Sequence, residues 1–336
     1  MAIINEAKWG IRNLDKTNHW ERLKFDKYPH DKPVVICLGG NGTISENAAN
    51  GMCKIAETFL QLLFKKNGVN RVYDHASIIG ASYPIGNQPK TGKFSDDDIT
   101  KFVDGFLIKR IQNENDELVP LNEACRRLSQ ITFLTHCSGH HEADRIMRAF
   151  YNELRTLGYS QQECDIMMMS MFEVSYAPLT YNSIIPALFV DSKQDKLLNK
   201  SWKETELSNN SNNTLNGVEI RYERYGDNLL SGSNTSNALF DAIHIYSSKL
   251  RNNVDEDEHN ISMITRDGSW NATYEPNADC VSQMVAWALS RAVENGIDNK
   301  KSEKFLPKAS LEELMQELVL IRNDFSAEQL MSKELS

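Results

Sequence analysis

Several signals are missing from this chain, and each absence closes off a class of protein. No apolar run approaches the roughly 20 residues of a membrane span, so no spanning helix is expected. No cluster of Lys and Arg appears, and 46 acidic against 37 basic residues leave a formal charge of −9. That balance argues against a nucleic-acid or anionic-membrane surface. The six cysteines (37, 53, 125, 137, 164 and 280) include no C-x-x-C pair. Scattered thiols in a chain of this size read as reduced cysteines, neither a disulfide framework nor a zinc site. There is no P-loop, and Gly39-Gly40-Asn41-Gly42 lacks the G-x-G-x-x-G frame of a dinucleotide fold. Neither a cofactor nor a metal is therefore expected. The first residues, MAIINEAKWG, lack the charged-then-apolar order of a secretory signal, which leads to the expectation of a reducing, cytoplasmic setting.

What remains is ordinary in amount and informative in order. The 336 residues are 40% hydrophobic and 25% charged, enough for one large α/β domain or two smaller ones. Continuous apolar runs at 32–38, 76–80, 165–171 and 186–190 read as buried parallel strands. Between them lie helical patterns at 47–65, from the acidic cap Ser95-Asp96-Asp97-Asp98 to about 111, and at 121–128. Residues 1–31 read as polar and irregular, with short strands and exposed aromatics (Trp9, Trp20). Residues 199–217 are Asn/Ser-rich and read as a polar insertion. Val218–Tyr225 alternates as a strand does, and 240–250 fits a helix or a strand. Residues 278–295 form an amphipathic helical pattern, a second follows at 310–323, and no internal repeat is present. Strands alternating with helices predict a mainly parallel sheet flanked by helices.

The segment 131–146, ITFLTHCSGHHEADRI, carries the most chemistry. A β-prone run stops at Thr135-His136-Cys137-Ser138-Gly139, and an amphipathic stretch begins at once. A nucleophile on a tight strand-to-helix turn is the arrangement of a nucleophile elbow, G-x-S-x-G in its common form. Here Cys137 takes the centre, Gly139 the last glycine, and Thr135 replaces the first. Thiols at helix N-termini are biased towards thiolate, the nucleophilic form. The amide of Ser138 is placed to donate to an oxyanion. His136 could line the pocket, whereas His140 and His141 open the helix and read as surface residues.

With these residues in order, the chain resembles the α/β-hydrolase superfamily over roughly 30–297. The glycine loop 39–42 after a buried strand resembles the oxyanion loop, and Ser82-Tyr83-Pro84-x-Gly86 resembles the segment after the next strand. The Cys-centred elbow is similar to that of dienelactone-hydrolase-like members. Val190-Asp191-Ser192-Lys193-Gln194-Asp195 looks like the late segment that presents the acid. The resemblance implies a Cys137–His259–Asp195 triad, with Gly40, Asn41 and Ser138 as oxyanion donors. His244 and Asp191 stand as the alternative base and acid. It also implies a division into an N-terminal segment 1–31, a hydrolase-like domain 32–297 and a C-terminal helical extension 298–336.

Two function classes follow. One is an enzyme that cleaves an ester, thioester or amide of a small-molecule, acylated or peptide substrate through an acyl-Cys137 intermediate. The other is an inactive hydrolase-like scaffold that binds a partner. The acidic helical tail SLEELMQELVLIRNDFSAEQLMSKELS resembles the secretion signals of bacterial type IV effectors. That resemblance would imply translocation into a host cell and a host protein partner. Its apolar periodicity also fits a helix packed on the domain.

Overall fold

A computed structural model describes residues 6–13, 19–25, 28, 32–66, 76–84, 92–179, 181, 183–192, 214–215, 218–225, 240–247, 284–289, 316, 318–321, 323 and 324. Its frame is one mixed sheet of ten strands in the order β2-β1-β4-β3-β5-β6-β7-β10-β9-β8. The strands are β1 (Lys8–Asn13), β2 (His19–Arg22), β3 (Val34–Leu38), β4 (Ser77–Ser82), β5 (Ile131–His136), β6 (Phe172–Tyr176), β7 (Ala187–Ser192), β8 (Thr214–Leu215), β9 (Val218–Tyr225) and β10 (Phe240–Ser247). From β4 to β10 the central strands run parallel. Antiparallel pairs close both sides. The expected α/β architecture with a mainly parallel sheet is thus present.

Period-two alternation in the central strands sorts the core into two layers. Val35 and Cys37 face one way, packing with Met52, Ile55, Ala56 and Phe59 of α1 (Glu46–Lys66). Val34, Ile36 and Leu38 face the other, into a layer built by α2 (Asp96–Phe102), α3 (Leu121–Leu128), α4 (Gly139–Thr156) and α5 (Gln161–Met169). All five residues of β3 are buried, which is why this strand reads as an unbroken apolar run. Ser95 caps α2 with a reciprocal bond to Asp98, as the acidic sequence there predicts. The helix then passes into a π-helical turn, Val103–Ile108.

Two expectations are corrected, on residues 165–171 and on Trp9. Residues 165–171 are not a strand: α5 occupies Gln161–Met169, and β6 begins at Phe172. A capping box at Ser160 and Glu163 starts the helix, and Cys164, Met167, Met168 and Met171 bury a 3.6-residue stripe. The short strands expected within 1–31 are present: β1 and β2 extend the sheet, and the buried Arg12–Glu57 pair (2.5 Å) fastens β1 to α1. Trp9 is not exposed: it is buried and stacks on Phe102 with ring centroids 4.0 Å apart.

Near the C-terminus, the helical residues 284–289 bury Met284, Val285, Ala288 and Leu289 in the α1-side layer, and Leu318 joins the same cluster. No helix among the described residues is long and apolar enough to cross a membrane.

Candidate functional site

The chain leaves β3 for β4 on one side and leaves β5 for β6 on the other. Strand order therefore reverses between β3 and β5, and the crevice outside their carboxyl ends is where α/β sheets bind ligands. The loop that begins at Gly39 follows β3, and Cys137 follows β5 directly.

Cys137 has φ 55°, in the left-handed region. A residue with a Cβ pays about 1–2 kcal/mol for that conformation. Its amide donates to Tyr176 O on β6 (3.0 Å), and its carbonyl accepts from the His140 amide (3.4 Å), so the turn is held from both sides. The helix beginning at Gly139 is 18 residues long, and Ser138, at its N-cap, makes no side-chain capping bond. Gly139 admits no substitute without movement: a Cβ there would lie 2.2 Å from Leu38 O and 2.6 Å from Gly39 O. That contact presses the elbow onto the end of β3. A Cβ on Gly40 would lie 3.1 Å from Cys137 Cβ, 3.5 Å from its Sγ and 3.7 Å from His136 Nδ1. Gly40, Cys137 and His136 therefore converge at the sheet edge, and Cys137 and His136 are both half-buried.

The glycine loop is tied internally by the Thr43 amide to Gly40 O (2.9 Å) and the Ile44 amide to Gly42 O (2.9 Å). It is tied externally by the Gly92 amide to Asn41 O (3.1 Å). Tyr83, just past β4, grips it twice, with its amide donating to Thr43 O (2.8 Å) and its hydroxyl to Gly39 O (2.7 Å). Among the described residues, the amides of Gly40, Asn41 and Ser138 find no acceptor. Donors without partners at a sheet edge are available to a ligand. Burial pushes the Tyr83 phenol well up from its ordinary value, and the charges of Glu142 and Cys137 push the same way.

A second polar cluster lies beneath the elbow. Thr135 Oγ1 sits 2.7 Å from both Glu173 Oε1 and Ser175 Oγ, so the residue that replaces the first glycine turns its side chain into hydrogen bonds. His140 Nδ1 is 2.9 Å from Glu173 Oε1, and both side chains are 1% exposed. Ser183 donates to the other Glu173 oxygen (3.2 Å). The expectation of a surface His140 is thus corrected, while His141 is exposed. Helical phase turns His140 inward over β6, where a buried carboxylate needs partners. The sequence carries a signal for Glu173 but not for its partner: Phe-Glu-Val-Ser-Tyr places Glu173 and Ser175 on one face of a strand.

Nearby, Glu142 accepts from the Phe94 amide (3.1 Å) and from Arg145 (2.8 Å). Burial nonetheless raises its carboxyl above the ordinary value. Asp144 is likewise raised by burial, against the pull of Arg148 at 2.8 Å. Among the described residues no group of three or more His, Cys, Asp or Glu side chains is arranged to hold a metal ion.

Of the expected site residues, Cys137, Gly40, Asn41 and Ser138 flank the crevice between the ends of β3 and β5. His259 and Asp195 lie outside the described residues. The alternatives are both on strands: Asp191 is buried within β7, and His244, on β10, pairs in register with Phe189 of β7. No protein-family model matches the chain, and no curated protein matches it significantly.

Proposed function

We propose that the protein is an acyl hydrolase of α/β-hydrolase type, with Cys137 as nucleophile. The observation that carries this reading is the left-handed Cys137 between β5 and α4, pressed against a glycine loop whose Gly40 and Asn41 amides find no acceptor among the described residues. A strained nucleophile on a strand-to-helix turn, with an oxyanion hole formed by the next amide and one from the loop after β3, is the hydrolase arrangement. In this reading Cys137 Sγ attacks an ester, thioester or amide carbonyl. The amides of Ser138 and of Gly40 or Asn41 hold the oxyanion, and water then releases the acyl group.

Chain order supports His259 as base and Asp195 as acid. Strands β7 and β10 run parallel to β5, so the segments after Ser192 and Ser247 both leave from the edge where Cys137 stands. Asp195 belongs to the first segment and His259 to the second. His259 would take the thiol proton and return it to the leaving group, and Asp195 would fix its tautomer.

The test is mass spectrometry of the intact chain after exposure to a panel of activated esters, thioesters and peptides. An acyl adduct on Cys137 that forms slowly in His259→Ala, and is less affected in Asp195→Asn, is the expected result. Failure of every acyl donor to modify Cys137 would sink the proposal and leave the partner-binding scaffold.

A further inference from the structure

The Gly39–Gly40 peptide is the weakest piece of backbone at this site. Neither flanking residue has a side chain to resist rotation of the peptide plane, and glycine tolerates almost any dihedral such a rotation needs. The peptide is nevertheless planar and trans, so the direction of Gly39 C=O fixes that of the Gly40 N–H, which points the opposite way. Whatever holds the carbonyl aims the amide.

Tyr83 holds the carbonyl. Its hydroxyl donates to Gly39 O at 2.7 Å. The ring is 0% exposed and braced edge-on by Phe94, with centroids 4.8 Å apart. The Tyr83 amide also donates to Thr43 O, so the residue spans the loop from its first glycine to its last turn. A buried phenol in this setting remains a protonated donor, because burial and the nearby Glu142 and Cys137 all oppose its ionisation. A hydrogen bond accepted at one end of a peptide also polarises it and strengthens the N–H at the other end.

We infer that Tyr83 is the positioning residue of the oxyanion hole: its hydroxyl locks and polarises the Gly39–Gly40 peptide so that the Gly40 amide faces the carbonyl attacked by Cys137. The inference rests on the acyl-transfer reading above. Tyr83 touches no reacting atom in this scheme and acts only through the loop backbone.

Two reagents separate this role from a general effect on folding. p-Nitrophenyl acetate acylates a thiolate through a tetrahedral oxyanion: the S–C bond forms first, and collapse of the oxyanion then expels p-nitrophenolate. Iodoacetamide alkylates the same thiolate by direct displacement of iodide, with no oxyanion. In Tyr83→Phe, acetylation of Cys137 should fall by at least about tenfold, approaching the hundredfold or more typical of losing one oxyanion donor. Alkylation of Cys137 should keep the wild-type rate. Both rates are read on the Cys137 peptide by mass. Unchanged acetylation in the variant, or an equal fall in both rates, overturns the inference while leaving the acyl-transfer reading intact. A wild-type chain that is alkylated but never acetylated overturns that reading and this inference with it. Should Tyr83→Phe fail to fold, 3-fluorotyrosine at position 83 keeps the ring and strengthens the donor. Faster acetylation at constant alkylation then supports the role, and no change defeats it.

Discussion

Asp116 and Cys137 share a backbone conformation and little else. Asp116 has φ 62° in a surface turn, where its side chain is 71% exposed and paired with Lys109. Around it Asn113 accepts from the amides of Asn115 and Glu117, and the Asp116 amide returns to Asn113 O. Asp is among the few residues that visit the left-handed region readily, so local turn chemistry accounts for the geometry. Cys137 has no such excuse. It is held at φ 55° by long-range parts: Tyr176 on β6, the end of β3 against Gly139, and the start of α4. Strain imposed by the surrounding fold on a residue poorly suited to it marks a position where something other than stability fixes the side chain.

The sharpest way to break this comparison is at Cys137 itself. Cys137→Ala should abolish acylation, and Cys137→Ser should retain a trace because the base must then deprotonate a much weaker acid. Cys137→Gly should be equally inactive yet more stable than wild type, by up to about 1–2 kcal/mol from relief of the left-handed strain. Urea midpoints alongside acyl-adduct mass decide it; an inactive glycine variant with no gain in stability would mean the turn stores no strain. Next in size comes the cluster that supports the elbow from below. Glu173→Ala leaves His140, Thr135 and Ser183 without their shared buried acceptor and should cost about 1–3 kcal/mol. A loss below 1 kcal/mol would show that the cluster is no keystone.

Gly139→Ala should destabilise by about 1–3 kcal/mol, since its methyl meets the Leu38 and Gly39 carbonyls and backbone must shift. It should also slow acylation, because the same shift moves Cys137 away from the glycine loop. Asp116→Gly offers the contrast: a gain below about 1 kcal/mol and unaltered acylation. Equal effects on activity from the two glycine sites would erase the distinction between turn and elbow.

The smallest effect concerns pH. Burial raises the Asp144 carboxyl above 3.8, so the folded state holds this proton more tightly than the unfolded state does. Stability contributed by Asp144 is therefore greatest below that value and is lost as pH rises through the raised folded value. Asp144→Asn should flatten that decline and be no less stable than wild type at neutral pH, as read from urea midpoints across the range. A steeper decline in the variant would mean that pairing with Arg148 outweighs burial.

These outcomes map onto what the chain discloses before folding. The parallel strands are legible because β3 is an unbroken apolar run, β7 opens with the apolar Ala187–Val190, and β5 opens with the β-prone Ile131–Leu134. The strand-to-helix turn is legible because Thr135-His136-Cys137-Ser138-Gly139 compresses strand end, turn and helix start into five residues. Local composition is ambiguous elsewhere. Methionines suit a buried strand or a buried helix alike, and only the Ser160–Glu163 box decides for helix over 161–169. The Glu173–His140 pair spans 33 positions, and no periodicity links residues so far apart. In sequence Tyr83 is one residue of the segment after a strand, because a hydroxyl aimed at Gly39 O is a product of packing.

The two ends of the sheet have a consequence for the protein at high concentration. Among the described residues the outermost strands are β2, four residues long, and β8, only two. β2 reads His-Trp-Glu-Arg, with two charged positions. Short or charged edges offer another chain little open backbone on which to add a strand. The apolar strands β3 to β7 each have a neighbour on both sides, and a change that neutralised β2 would first be felt as self-association.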